Sequence, residues 1–239
     1  MIDLHCHFLP GVDDGPESME ESLSLAAAAV ADGIRFSVIT PHVHPERYDN
    51  DRSSLQPVFD NFQAALRERN IPLEIRLGGE TRLSIESLEL LLADEVPVLG
   101  ELDGYRILLL EFPHHLIPVG SLQFVAKLLS QKVRPLIAHP ERNKAVMANP
   151  ESIYPFVEAG CLLQVTAGSL VGRFGNPARQ TAIRLLESEW VELIATDAHN
   201  IKDRPPFLSE GRAALVSLCG EKRAQEMVWD RPARILGLH

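Results

Sequence analysis

The sequence predicts an α/β fold on parallel strands, most simply a distorted (β/α)7 barrel, in a single domain spanning residues 1–239. Three observations lead there. The length of 239 residues falls within the about 200–250 residues common for such barrels. Seven short runs rich in Ile, Leu and Val alternate with amphipathic helical stretches. Most of those runs end in, or lead into, a residue type that binds metals. An open parallel sheet would show the same alternation, and the pattern alone does not separate the two.

The first run, Ile2–Leu4, leads to His5 and His7, and the helical stretch Met19–Asp32 follows, closed by Gly33. The second run, Arg35–Thr40, leads to His42 and precedes the helical stretch Pro57–Asn70. The third, Leu73–Gly78, leads to Glu80. The fourth, Arg106–Glu111, ends in Glu111, and a helix over Ser121–Gln131 begins just after Gly120. The fifth, Arg134–Ala138, leads to His139. The sixth, Leu162–Thr166, follows Gly160 and precedes the helical stretch Pro177–Glu187. The last, Val191–Thr196, leads to Asp197 and His199. Runs this short and apolar read as strands buried on both faces. Their alternation with helices implies a parallel sheet with crossover helices. In such folds the C-terminal strand ends converge on one face, which carries the chemistry.

Composition narrows the function. The apolar fraction of 45% supports a sizeable core, and the net charge of −10 gives no basic face for nucleic acid. The same charge means that an anionic substrate would need a locally positive site. Cys6, Cys161 and Cys219 are too few and too scattered for a disulfide framework. The first ten residues carry Asp3, His5 and His7 where a secretory segment would be apolar. The apolar stretch Leu23–Ala31 is far shorter than the roughly 20 residues needed to span a bilayer. A cytoplasmic protein without membrane insertion is expected.

His5 and His7 are two apart, a spacing that puts both imidazoles on one side of an extended segment. Asp197-Ala198-His199 repeats the device. His42, Glu80, Glu111 and His139 add further donors, and Asp14 can reach in from the loop Val12-Asp13-Asp14-Gly15. Each short motif alone is bland. Together they gather carboxylates at one mouth, where they would repel one another without cations. The set exceeds the three or four protein ligands of one catalytic ion, which points to a multinuclear site. Mixed imidazole and carboxylate donors suit Mn, Fe or Zn.

The neighbours read differently. His44 lies in a polar stretch, Asp13 suits the turn before Gly15, and Cys6 should point away from His5 and His7 into the core. His114 and His115 belong to a loop at the surface or pocket rim, and terminal His239 has no assigned role. Arg142, in His139-Pro140-Glu141-Arg142, and Arg204, five residues after His199, leave ligand-bearing strand ends on short tethers. Their planar guanidinium forks suit phosphate oxygens. The plainer reading pairs them with Glu141 and Asp203.

A cysteine phosphatase needs arginine six residues after its thiolate; Val12, Ala167 and Gln225 stand there instead. No serine elbow, phosphate-binding P-loop or dinucleotide fingerprint is present.

Met1-Ile2-Asp3-Leu4-His5-Cys6-His7, Asp13-Asp14-Gly15-Pro16, Glu20-Glu21-Ser22, Thr40-Pro41-His42, Gly79-Glu80, Leu110-Glu111-Phe112, His139-Pro140-Glu141-Arg142 and Asp197-Ala198-His199 occur in that order. In this the chain resembles the PHP (polymerase and histidinol phosphatase) superfamily. Within it, the chain is similar to the capsule-type bacterial protein-tyrosine phosphatases found with exopolysaccharide operons. The stretch Val43-His44-Pro45 varies in that family. The resemblance implies a distorted seven-stranded barrel holding three divalent ions, often Mn2+. It puts His5, His7, Glu80 and Asp197 around one ion. Glu80, Glu111 and His139 would surround the second, and Asp14, His42 and His199 the third. Arg142 and Arg204 would bind the substrate phosphate. The implied substrate is a phosphotyrosine protein, such as a tyrosine kinase of polysaccharide assembly, cleaved by metal-activated hydroxide. A small-molecule phosphatase acting on a substrate like histidinol phosphate, a non-catalytic kinase partner and a metal-dependent amidohydrolase or deacetylase are the rival readings.

Overall fold

The computed structural model describes residues 1–238; His239 lies outside the described residues. The strands are β1 (Ile2–Cys6), β2 (Phe36–Ile39), β3 (His42–Val43), β4 (Glu74–Leu77), β5 (Glu80–Arg82), β6 (Gly100–Leu102), β7 (Tyr105–Glu111), β8 (Val133–Ala138), β9 (Leu162–Thr166) and β10 (Val191–Ala195). All seven predicted runs appear, with ends shifted by a residue or two. The sequence reading missed β3, β5 and β6, because segments of two or three residues carry no readable period.

One parallel sheet has the order β1-β2-β4, and a second runs β10-β9-β8-β7-β5-β3, also parallel. Strand β6 pairs antiparallel with β7 at its side. The two sheets are joined by the chain itself. Thr40-Pro41 carries β2 into β3, and Gly78-Gly79 carries β4 into β5. Gly78 passes so close to β2 that a Cβ there would meet Val38 Cγ1 at 2.6 Å. At the other edge the end of β10 returns to β1. Asp197 N donates to His5 O and His7 N donates to Ala198 O, each at 2.8 Å. The predicted arrangement is thus realised as two parallel sheets linked in series, with one bridge at Cys6–Ala198 in place of a full ladder between β1 and β10.

Period-two alternation sorts the apolar side chains. Ile2, Leu4, Val38, Ile107, Leu109, Leu136 and Leu193, from strands of both sheets, cluster with Ala233, Ile235 and Leu236 of the C-terminal helix Arg231–Leu236. Leu108, Leu110, Ile137, Leu163 and Ile194 face the opposite way and join the larger core with the helices. Both faces are therefore buried, as continuous apolar strands require.

The helix Met19–Ala31 starts at a capping box between Ser18 and Glu21. The second helix, Arg52–Glu68, begins five residues earlier than predicted. Asp51 and Ser54 cap it reciprocally, and Pro57 lies inside it, where its ring removes the backbone donor that would reach Ser53 O. The helices Ser121–Ser130 and Gly175–Glu187 lie close to their predicted positions. Among the described residues no helix is long and apolar enough to cross a membrane.

Candidate metal centre

All the parallel strands deliver their C-terminal ends to one face, and the predicted ligands gather there. Three overlapping sets of donor atoms lie within 4.8 Å of one another: His5, His7, Glu80 and Asp197; His7, Asp14, His42 and His199; and His42, Glu80 and Glu111. His7, His42 and Glu80 each belong to two sets, so the candidate sites are adjacent.

In the first set, His5 Nε2 lies 3.3 Å from Glu80 Oε2 and 3.2 Å from Asp197 Oδ1. His7 Nε2 lies 3.3 Å from Glu80 Oε2, 3.5 Å from Asp197 Oδ1 and 3.2 Å from His5 Nε2. Donors about 2.0–2.2 Å from one ion sit roughly 3.0–3.5 Å apart, so these spacings fit a shared cation. In the second set, Asp14 Oδ1 is 3.3 Å from both His42 Nε2 and His199 Nε2. In the third, His42 Nδ1 lies 3.1 Å from Glu80 Oε2.

The arrangement differs from the implied sets in two respects: His7 also joins Asp14, His42 and His199, and the set around Glu111 changes its imidazole. His42, not His139, converges with Glu80 and Glu111. His139 touches the group through Glu80 alone, with Nε2 2.8 Å from Oε1. Glu111 also holds Arg82, at 3.0 Å.

Unpaired atoms show that the set suits cations. Glu80 Oε2, Asp197 Oδ1, His42 Nδ1 and His199 Nε2 are buried without a hydrogen-bond partner. Orphaned buried polar atoms are costly, and here they point at one another. Burial opposes charge on Glu80, but His5 and His42 and a hydrogen bond with His139 hold its carboxyl well below the usual range. Burial likewise opposes charge on Asp197, and is outweighed by Arg204, Arg142 and His5. Burial, with His7 nearby, brings His199 down to about 4, and burial with Arg142 lowers His139. Ionised carboxylates and neutral imidazoles are the forms that ligate metals. Against burial, Glu80 and Asp197 raise His5 and Asp13 raises His7, so of these three donor-set imidazoles His199 is the one held in the neutral form.

Two ligand-type residues sit in unusual backbone. His139 has φ 32° and Asp197 φ 52°, in the left-handed region that non-glycine residues seldom adopt. Each lies just beyond a strand end. Asp197 N is held by His5 O, and His139 O accepts from Arg142 N in the short turn Pro140–Arg142. Local strain of this kind persists where its surroundings enforce it.

A supporting layer escaped the sequence reading. Asp13 Oδ2 lies 2.7 Å from His7 Nδ1 and accepts from His42 N at 3.0 Å, while Oδ1 accepts from Gly15 N. It serves the turn as expected and also orients an imidazole. Gln164 Oε1 lies 2.9 Å from His5 Nδ1. A buried polar residue within an otherwise apolar strand was the available signal. Asp3, buried in β1, accepts from Thr196 N and Thr196 Oγ1.

The arginines do not pair with their sequence neighbours. Arg142 Nη1 and Arg204 Nη2 both meet Asp197 Oδ2, the latter at 2.6 Å. Glu141 instead turns to Thr166 N and Ser169 Oγ. Cys6 is buried and donates to Val38 O. Half-buried His44 bridges to Tyr48 and joins no donor set; His114 and His115 are exposed on their loop.

A family model described as capsular polysaccharide synthesis, CpsB/CapC, matches residues 1–237. Tyrosine-protein phosphatase YwqE of Bacillus subtilis (strain 168) is 36% identical over 210 residues, covering 85% of this chain and 79% of that protein. Tyrosine-protein phosphatase CpsB of Streptococcus pneumoniae is 29% identical over 241 residues, covering 99% of this chain and 98% of that protein. A crystal structure reported for YwqE and CpsB, described as unique metal-dependent tyrosine phosphatases, superposes with a TM-score of 0.92 at 33% identity. It covers 100% of this chain and 95% of the other. The chain belongs to the CpsB/CapC family of capsular polysaccharide synthesis.

Proposed function

We propose that this protein is a metal-dependent tyrosine phosphatase that hydrolyses phosphotyrosine on proteins of capsule or exopolysaccharide assembly. A tyrosine kinase of that system is the proposed partner, and the cytoplasm the proposed compartment. The observation that carries this reading is the meeting of Arg142 and Arg204 at Asp197 Oδ2, on the edge of the donor sets. It supplies an anion grip beside a cation site in an acidic protein.

The three overlapping donor sets support three divalent ions, Mn2+ first, with Fe or Zn as alternatives. His5, His7, Glu80 and Asp197 would hold one. His7, Asp14, His42 and His199 would hold another, and Glu80, Glu111 and His42 a third, with His139 on Glu80. When bound, such ions supply a water acidic enough to attack at neutral pH and offset the phosphate charge.

The chain's own groups do the rest. Arg142 and Arg204 take the non-bridging phosphate oxygens and hold the ester in line as charge redistributes. Asp197 fixes both guanidinium groups beforehand, which lowers the cost of ordering them. The leaving phenolate has an ordinary pKa of about 10 and needs little acid assistance.

The test is side-by-side turnover of a phosphotyrosine peptide, histidinol phosphate and p-nitrophenyl phosphate with Mn2+ present. We expect the peptide to exceed histidinol phosphate in kcat/KM by at least about tenfold. A preference for histidinol phosphate would move the assignment to the small-molecule rival, and no turnover of any ester would favour a non-catalytic role.

A further inference from the structure

Beside the two arginines lies a cavity of ≈ 340 Å³ lined by His114, Arg142, Met147, Phe174, Ala178 and Arg204. Its lining is of two chemical kinds. Arg142 and Arg204 supply its cationic groups, and Phe174, Met147 and Ala178 its apolar ones. Phe174 is half-buried and held in place. The Arg142 guanidinium carbon sits 4.6 Å from its ring centroid. The ring packs over Gly168, where a Cβ would come within 3.2 Å of it. Met147 stands on the short helix Lys144–Ala148, and Ala178 is buried on the helix Gly175–Glu187.

We propose that this cavity receives the aromatic ring of the leaving group, with Phe174 and Met147 as specificity-determining residues. The proposal rests on the phosphatase reading above. A phosphate gripped by Arg142 and Arg204 has its ester substituent within reach of a cavity that those same arginines line. An aryl group there displaces water from apolar surface and meets a ring and a thioether, both good partners for aromatic groups. The short alkyl ester of phosphoserine has no ring to bury against these apolar groups. A polyol or amine phosphate would place polar groups there without partners among Phe174, Met147 and Ala178.

The test uses Mn2+-loaded enzyme and two non-hydrolysable probes, phenylphosphonate and methylphosphonate, with binding measured by calorimetry. Both carry the same anionic head, and only one carries the ring. Wild type should bind phenylphosphonate about tenfold or more tightly than methylphosphonate. Phe174→Leu and Met147→Ala should each shrink that ratio at least about threefold, with methylphosphonate affinity unchanged. Phe174 stacks against the Arg142 guanidinium, whereas Met147 stands on the separate helix Lys144–Ala148, so its variant separates ring binding from arginine positioning. A wild-type ratio near one, a ratio unchanged in both variants, or equal weakening of both probes in both variants would overturn the subsite. If the ratio behaves as expected but the enzyme leaves phosphotyrosine intact, the subsite stands and the functional reading fails.

Discussion

Asp13 Oδ2 lies 2.7 Å from His7 Nδ1, while the other nitrogen of that ring faces Glu80 and Asp197. A carboxylate on the far nitrogen fixes the tautomer and the ring orientation of a metal-ligating histidine. His7 belongs to two of the three donor sets, so Asp13 acts on both. Asp13→Asn is expected to weaken divalent metal binding by about 10–100-fold, read by metal titration of chelator-treated protein. Unchanged affinity would reduce Asp13 to its part in the turn before Gly15.

Arg142 and Arg204 share one carboxylate oxygen of Asp197, whose other oxygen belongs to the first donor set. Arg142→Ala should lower kcat/KM for a phosphotyrosine peptide by about 10²–10³-fold. Its metal content should stay within that of the wild type. Arg142→Lys should restore little, since an ammonium cannot reproduce the planar fork. An Arg142→Ala enzyme with full activity and full metal content would remove that residue from phosphate binding.

The cysteines should be bystanders. Burial pushes the Cys161 thiol up to about 12 and the Cys6 thiol well above the ordinary range. At pH 8 the Cys161 thiolate is then roughly one part in ten thousand. Partly exposed Cys219 is raised by its own partial burial. Native protein treated with iodoacetamide at pH 8 should therefore carry label at Cys219 at most, and should keep its activity. Mass spectrometry and an assay on the same sample check both statements. Label at Cys6 together with lost turnover would contradict them.

Much of this was legible because apolar runs and ligand-type residues adjoin. Leu136–Ala138 before His139 and Leu193–Thr196 before Asp197 announce strand ends in a parallel fold. What was not legible depends on side-chain direction or on very short elements. Asp13 reads as a turn former, and nothing in Asp-Asp-Gly distinguishes the residue that backs His7 from the one that joins a donor set. The placement of His42 beside Glu80 and Glu111 follows from the pairing of β3 with β5, where His42 lies opposite Glu80. A two-residue strand leaves no trace in hydrophobic periodicity. Arg142 and Arg204 each have a nearer acidic neighbour in sequence, but the backbone turns both toward Asp197.

The junction of β1 with β10 is held by one bridge and by Asp3, which accepts from both Thr196 N and Thr196 Oγ1. Asp3→Ala should destabilise the fold by about 1–3 kcal/mol for each buried donor left without an acceptor. Asp3→Asn, which keeps one acceptor oxygen, should cost less. Urea unfolding midpoints of the three proteins, all metal-free, measure this. An Asp3→Ala variant as stable as wild type would show that the junction does not depend on this carboxylate.

The most direct test of the account is phosphotyrosine-peptide hydrolysis before chelation, after complete chelation, and after return of Mn2+. The account predicts activity that disappears with the metal, returns with it, and is indifferent to alkylation of the cysteines. Hydrolysis that survives complete metal removal and is abolished by thiol alkylation would contradict it.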